Sequence, residues 1–177
     1  MKVLALDRDG VINFDSDDYI LNRKNWHPIP GSLEAIKKAK SHGFIVVVVS
    51  NQSALGRKML DTNSFHQINR KFISSLKQHG GSIDLYLVCP HTPKQNCNCR
   101  KPKSGLFDSL ANLLKIDLTK LVFIGDRMSD VLAAENIGAK SLLVETGKIL
   151  NKETKNHPRF KDLASAVDYT IQNYESF

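Results

Sequence analysis

Six consecutive apolar residues, Phe44-Ile45-Val46-Val47-Val48-Val49, constrain the fold more than any other feature. Four of them in a row are the β-branched valine. Such residues favour extended backbone, and a run apolar on both faces has to be covered on both faces. It reads as the central strand of a parallel sheet. Shorter apolar runs at residues 3–6, 84–88, 121–124 and 141–144 read as companion strands.

Amphipathic segments separate these runs. Ser32 reads as an N-cap, with Leu33, Ile36, Lys37 and Lys40 following at helical spacing until Gly43. Phe65, Ile68, Phe72, Ile73 and Leu76 share one predicted helical face, closed by Gly80-Gly81. Residues 105–115 form a helix with Leu106, Leu110, Leu113 and Leu114 inward. Residues 129–136 and 160–174 complete the set. Strand–helix alternation predicts an α/β fold of three layers, a Rossmann-like parallel sheet with helices on both faces. No repeat, linker or large insertion interrupts it, so residues 1–177 are expected to form a single domain without a cap domain.

At 41% hydrophobic and 24% charged residues, the composition is that of an ordinary globular protein. No apolar run approaches the roughly 20 residues of a membrane span. The first residues turn acidic at Asp7, too early for a signal peptide. A cytoplasmic location is expected. The net charge of +7 fits either nucleic acid or a small, highly anionic substrate. Lys and Arg are scattered rather than clustered, which favours the small anion; nucleic acid is not expected as partner.

All three cysteines fall in one stretch, Cys89-Pro90-His91 followed by Cys97-Asn98-Cys99-Arg100-Lys101-Pro102. An odd count closes no disulfide framework. Cys89, His91, Cys97 and Cys99 instead match a closed tetrahedral Zn²⁺ site with no open position. The zinc-stabilised loop would pin Arg100 and Lys101.

Ligands in parallel α/β folds bind at the carboxyl ends of the strands. Here those ends carry Asp7-Arg8-Asp9-Gly10, Ser50-Asn51-Gln52-Ser53, the cysteine loop, and Gly125-Asp126-Arg127-Met128-Ser129-Asp130. Asp7, Asp9, Asp126 and Asp130 would crowd one rim. Repulsion would force protonation unless a hard cation such as Mg²⁺ sits among them. Ser50 and Asn51 can offer amides and a hydroxyl to an anion.

These four segments, in this order and spacing, resemble the motifs of the haloacid dehalogenase superfamily of phosphohydrolases. The Cys-x-His and Cys-x-Cys-Arg-Lys-Pro loop resembles the branch holding the heptose 1,7-bisphosphate 7-phosphatases and the histidinol-phosphatases. Glu145-Thr146-Gly147-Lys148 resembles the Thr-Gly-Lys of the heptose enzymes. Ala54-Leu55 departs from their usual Gly-Ile, and the His91-to-Cys97 spacer is short, as in the histidinol enzymes.

The resemblance implies a Mg²⁺-dependent phosphatase acting on a small sugar bisphosphate. Asp7 would be the nucleophile and Asp9 the general acid, then the base. Magnesium would be held by Asp7, the backbone carbonyl of Asp9, and Asp126, with Asp130 behind them. Substrate would be bound by Ser50, Asn51, Gln52, Ser53, Arg100, Lys101 and Arg127; the 14–19 segment falls where the heptose enzymes contact their sugar and reads equally as a solvated acidic loop. A monomer is expected. Rival activities are a histidinol-phosphatase and a polynucleotide 3′-phosphatase. A non-catalytic zinc module for nucleic acid would leave the acids at the strand ends unexplained.

Overall fold

A computed structural model describes residues 1–148 and 157–177. Strands β1 (Lys2–Leu6), β2 (Phe44–Asn51), β3 (Leu85–Cys89), β4 (Leu121–Gly125), β5 (Lys140–Val144) and β6 (Arg159–Phe160) form one sheet in the order β3-β2-β1-β4-β5-β6. Every pairing is parallel. Helices are α1 (Ser32–Ser41), α2 (Ser53–Gly56), α3 (Thr62–Gln78), α4 (Gly105–Leu114), α5 (Met128–Glu135) and α6 (Leu163–Asn173).

Alternate residues of each central strand enter separate cores. Leu4, Leu6, Val46 and Val48 pack with Ile36, Phe72 and Val167 beneath α1, α3 and α6. Val3, Ala5, Val47 and Val49 pack with Phe107, Phe123 and Ala133 beneath α4 and α5. This is the period-two alternation of a strand buried on both sides, and it confirms the three layers. After β3 the chain crosses over to pair β4 with β1, so the strand order reverses there. The crevice above such a reversal is where parallel sheets place their ligands.

Several sequence expectations need correction. Ser32 does not cap α1. Gly31 occupies that position, and the buried Ser32 hydroxyl donates instead to the Ile12 carbonyl at 2.7 Å, tying the helix start to the loop after β1. Ile73 is 43% exposed and Leu113 61% exposed, so neither joins the core. Each lies on the rim of an apolar stripe narrower than its spacing implied. Phe160 lies in a two-residue edge strand rather than in the last helix, which Asp162 caps by accepting from the Ser165 amide. Among the described residues that strand pairs with β5 alone, a tertiary contact that local periodicity does not encode.

Candidate active site

Continuation of the β1–β4 pairing sets the first carboxylate. The Asp7 amide donates to the Ile124 carbonyl at 2.9 Å, extending the ladder one residue beyond β1. The chain then turns tightly, with the Arg8 carbonyl accepting from the Ile12 and Asn13 amides. Gly10 sits in this turn at φ +84°, and a Cβ there would come 2.5 Å from Asp126 Oδ2. Only glycine allows both that backbone conformation and that approach. The Gly10 carbonyl accepts from Thr146 Oγ1 at 2.7 Å, anchoring the turn to the segment after β5.

Asp7, Asp126 and Asp130 are all buried, with carboxylate oxygens within 4.8 Å of one another. Lys101, also buried, is driven among them. Its Nζ lies 3.1 Å from Asp7 Oδ1 and 2.8 Å from Asp130 Oδ1, and donates to the Val49 carbonyl at 2.9 Å. Burial opposes the charge on Lys101, but Asp130 and Asp7 outweigh it and raise the amine above its ordinary range. Asp130 Oδ2 accepts from the Asp126 and Arg127 amides, while Oδ1, without an aligned hydrogen bond, is neutralised by the Lys101 ammonium at 2.8 Å. It holds the lysine and the loop after β4 in place.

Asp126 is different. Oδ2 accepts from the Lys148 amide, but Oδ1 is buried with no hydrogen-bond partner. Burial, then the Asp7 and Asp130 charges, push Asp126 up to about 8; burial also raises Asp7 to about 6 despite Lys101. An orphaned buried carboxylate oxygen beside other acids is the signature of a cation site. Hard oxygen donors fit a Mg²⁺-like ion.

The Asp9 carboxylate, on the wall of the same cleft, is held by other partners. Arg8, buried and forked, donates to both its oxygens at 2.9 Å, and Asn13 and Gln52 add one bond each at 2.9 and 2.7 Å. Burial alone would raise Asp9, yet the Arg8 charge and these bonds prevail and hold it below the ordinary carboxylate range. Asp9 still lines the cavity, a polar cleft of about 280 Å³ that also includes Asp7, Ser50, Asn51, Gln52, Ser53, Arg100, Lys101, Arg127 and Asp130. The structure thus gathers these residues into one crevice, while Asp126, fully buried, lies behind its wall beside Asp7 and Asp130.

Four ligand atoms at the mouth of β3 match a tetrahedron. The Cys89–Cys97, Cys89–Cys99 and Cys97–Cys99 sulfur separations are 3.6, 3.3 and 3.5 Å, and His91 Nδ1 lies 3.7 and 3.2 Å from the Cys89 and Cys99 sulfurs. Zn–S bonds of about 2.3 Å imply tetrahedral S–S edges of about 3.8 Å. A disulfide would need sulfurs about 2.05 Å apart. The set fits a closed zinc site slightly contracted around its centre.

Comparison with known proteins agrees with this geometry. Residues 98–169 match the HAD-hydrolase-like family. A D-glycero-beta-D-manno-heptose-1,7-bisphosphate 7-phosphatase of Pseudomonas aeruginosa is 37% identical over 175 residues, covering 97% of this chain and 98% of the relative. That of Pseudomonas putida is 39% identical over 169 residues, 93% of this chain and 97% of the relative. This chain belongs to the heptose-bisphosphate phosphatase family of HAD-like hydrolases. Among solved structures, D,D-heptose 1,7-bisphosphate phosphatase from B. bronchiseptica, complexed with magnesium and phosphate, superposes with a TM-score of 0.90 at 35% identity, covering 98% and 99% of the two chains. A putative HAD-like phosphatase from Mesorhizobium loti gives 0.83 at 28% identity, covering 99% of this chain and 87% of that one.

Within this family frame, some side chains do other work than the sequence implied. Asn51 clamps Lys101, donating to its carbonyl and accepting from its amide, both at 3.1 Å. Gln52 donates to Asp9 and to Ser50 Oγ and accepts from Arg8, so its amide is committed to the protein. Ser50 accepts from Gln52 and keeps its own proton to donate. Arg127 pairs with Asp15 at 2.6 Å, and Lys148 with Asp17, linking the 14–19 segment to the rim. Arg100 donates to the His91 carbonyl at 3.3 Å, so the cysteine loop does hold it. Three residues escaped sequence reasoning. Arg57 lines the cleft, and Arg8 and Tyr86 support Asp9. A base between two acids at a strand end was the available signal for Arg8; none marked Tyr86.

Proposed function

We propose that this chain removes the 7-phosphate of D-glycero-D-manno-heptose 1,7-bisphosphate, as the β anomer named for its relatives, through an aspartyl-phosphate on Asp7. The observation that carries the reading is the Asp7–Lys101–Asp130 pairing beside the orphaned Asp126 oxygen, in a chain of this family.

Asp7 is the attacking group. Its oxygen displaces the sugar oxygen from phosphorus, and the breaking P–O bond leaves its electron pair on the sugar. Lys101 draws the phosphate's charge toward a carboxylate that would otherwise repel it. The Ser50 hydroxyl and the cleft-facing amides orient the transferring group. Asp9 supplies the proton to the departing sugar oxygen, and then takes one from the water that hydrolyses Asp7's phosphoryl ester. Its resting pose on Arg8 favours the ionised form, which suits the second step; the first uses the proton that each turnover leaves behind. Mg²⁺, held by Asp7, Asp126 and the Asp9 carbonyl, would neutralise phosphate oxygens when bound. Zn²⁺ on Cys89, His91, Cys97 and Cys99 would be structural, holding Arg100 and Lys101 at the rim. Arg100 and Arg127 would contact substrate. The chain acts as one domain and as a monomer in the cytoplasm, where thiolate ligands stay reduced.

Phosphate release with Mg²⁺ on heptose bisphosphate, histidinol phosphate and a 3′-phosphorylated oligonucleotide tests this. One phosphate released per heptose bisphosphate, with the others poor, is expected. Asp7→Asn should remain folded and inert. Preference for histidinol phosphate would overturn the substrate, and turnover by Asp7→Asn the covalent route.

A further inference from the structure

The buried guanidinium of Arg8 has one tie that the acid–base scheme does not use. Its Nε and Nη2 fork Asp9, Nη2 also reaches Gln52, and Nη1 donates to the Tyr86 hydroxyl at 3.2 Å. Tyr86 lies on β3, the edge strand, in register with Val48, which is itself in register with Leu6 at the end of β1. The phenol therefore stands two strands from the residue it influences. Its ring is wedged against Phe65 and Phe72, with centroids 6.5 and 6.4 Å away. Burial pushes the phenol up to about 12, so it is a neutral acceptor at physiological pH. A guanidinium held at one end by a carboxylate and at the other by an immobilised phenol cannot pivot. Asp9, gripped by that same fork, takes its direction from it.

We propose that Tyr86 is a positioning residue for the reaction: through Arg8 it fixes the direction in which Asp9 faces the departing sugar oxygen. The proposal rests on Asp9 serving as the acid–base group. In the step concerned, Asp7 bonds to phosphorus, the P–O(sugar) bond breaks with its electrons on the sugar oxygen, and the Asp9 proton moves to that oxygen. Misdirection of Asp9 therefore harms substrates whose leaving group needs the proton, and spares those that leave without it.

Tyr86→Phe tests this, because it keeps the ring and removes only the hydroxyl. kcat/KM is read for heptose bisphosphate, an alkyl phosphate, and for p-nitrophenyl phosphate, whose phenolate leaves unaided; both values report formation of the Asp7 ester. The expected result is a fall of about tenfold in the alkyl-to-aryl ratio, a fraction of the roughly 10²–10⁴-fold of general acid catalysis. Tyr86→Leu, which removes the ring as well as the hydroxyl, should lower the ratio at least as far. Parallel loss on both substrates, or an unchanged or raised ratio, would overturn the proposal. A thermal melt of each variant separates unfolding from either result. If the wild type cleaves the aryl ester but not heptose bisphosphate, the substrate reading fails instead, and the same ratio is taken with histidinol phosphate as the alkyl arm.

Discussion

Metal-free protein should lose stability as pH rises from about 4 to 8, and Mg²⁺ should restore it. The cause is the pair of buried carboxyls. Asp7 is raised from 3.8 to about 6 and Asp126 from 3.8 to about 8, chiefly by burial. A carboxyl with its folded pKa above its unfolded value keeps its proton longer in the folded state. The folded state then binds more protons, and unfolding free energy falls with pH until the folded pKa is passed. For Asp7 alone, the shift corresponds to about 3 kcal/mol at roughly 1.4 kcal/mol per unit. Asp126 acts in the same direction, but the two share one field, so their costs do not add. A joint loss of at least about 3 kcal/mol is expected across the window. Asp9 has the opposite sign: held low, its contribution is intact above the unfolded value of 3.8 and lost only below it, outside this window. Urea unfolding of zinc-loaded, magnesium-free protein at stepped pH measures the slope, and repetition with Mg²⁺ should flatten it. Asp126→Asn should lessen both the slope and the response to Mg²⁺. A metal-free stability that is level or rises over this range would refute the reasoning.

Further outcomes follow from other contacts. Gly147→Ala would place a Cβ 2.1 Å from Asp126 Oδ2, so Mg²⁺ affinity measured by calorimetry should drop at least tenfold while the fold persists. Lys101→Met leaves Asp7 and Asp130 without their cation; it should cost about 3–5 kcal/mol of stability in urea and abolish turnover. Cys97→Ser should reduce zinc content and speed hydrogen exchange around Arg100, with activity falling even when Mg²⁺ is saturating. Ile36→Ala, emptying a fully buried site beneath α1, should cost about 2–5 kcal/mol by denaturation, yet leave kcat per folded molecule nearly unchanged.

The fold was largely legible because its main signals are local. A strand with Val46 and Val48 facing one core and Val47 and Val49 the other must be apolar throughout, and that is visible without coordinates. What local pattern misreads are positions at its margin. Ile73 and Leu113 satisfy helical spacing but lie at the rim, and the two residues of β6 pair too briefly to leave a period. The Cys/His cluster and the acids were legible for a similar reason: strand ends and a short loop bring them together whatever the rest of the chain does.

Sequence alone therefore determined the layers, the rim at the strand ends, and the acidic, basic and cysteine side chains that meet there. Tertiary structure decided which way each of those groups faces. Asp9 turning to Arg8, Asn51 clamping Lys101, and Tyr86 steadying Arg8 from the sheet's edge all join residues distant in the chain. Their directions come from strand register and side-chain packing, and hydrogen bonds demand an alignment that residue identity by itself does not contain.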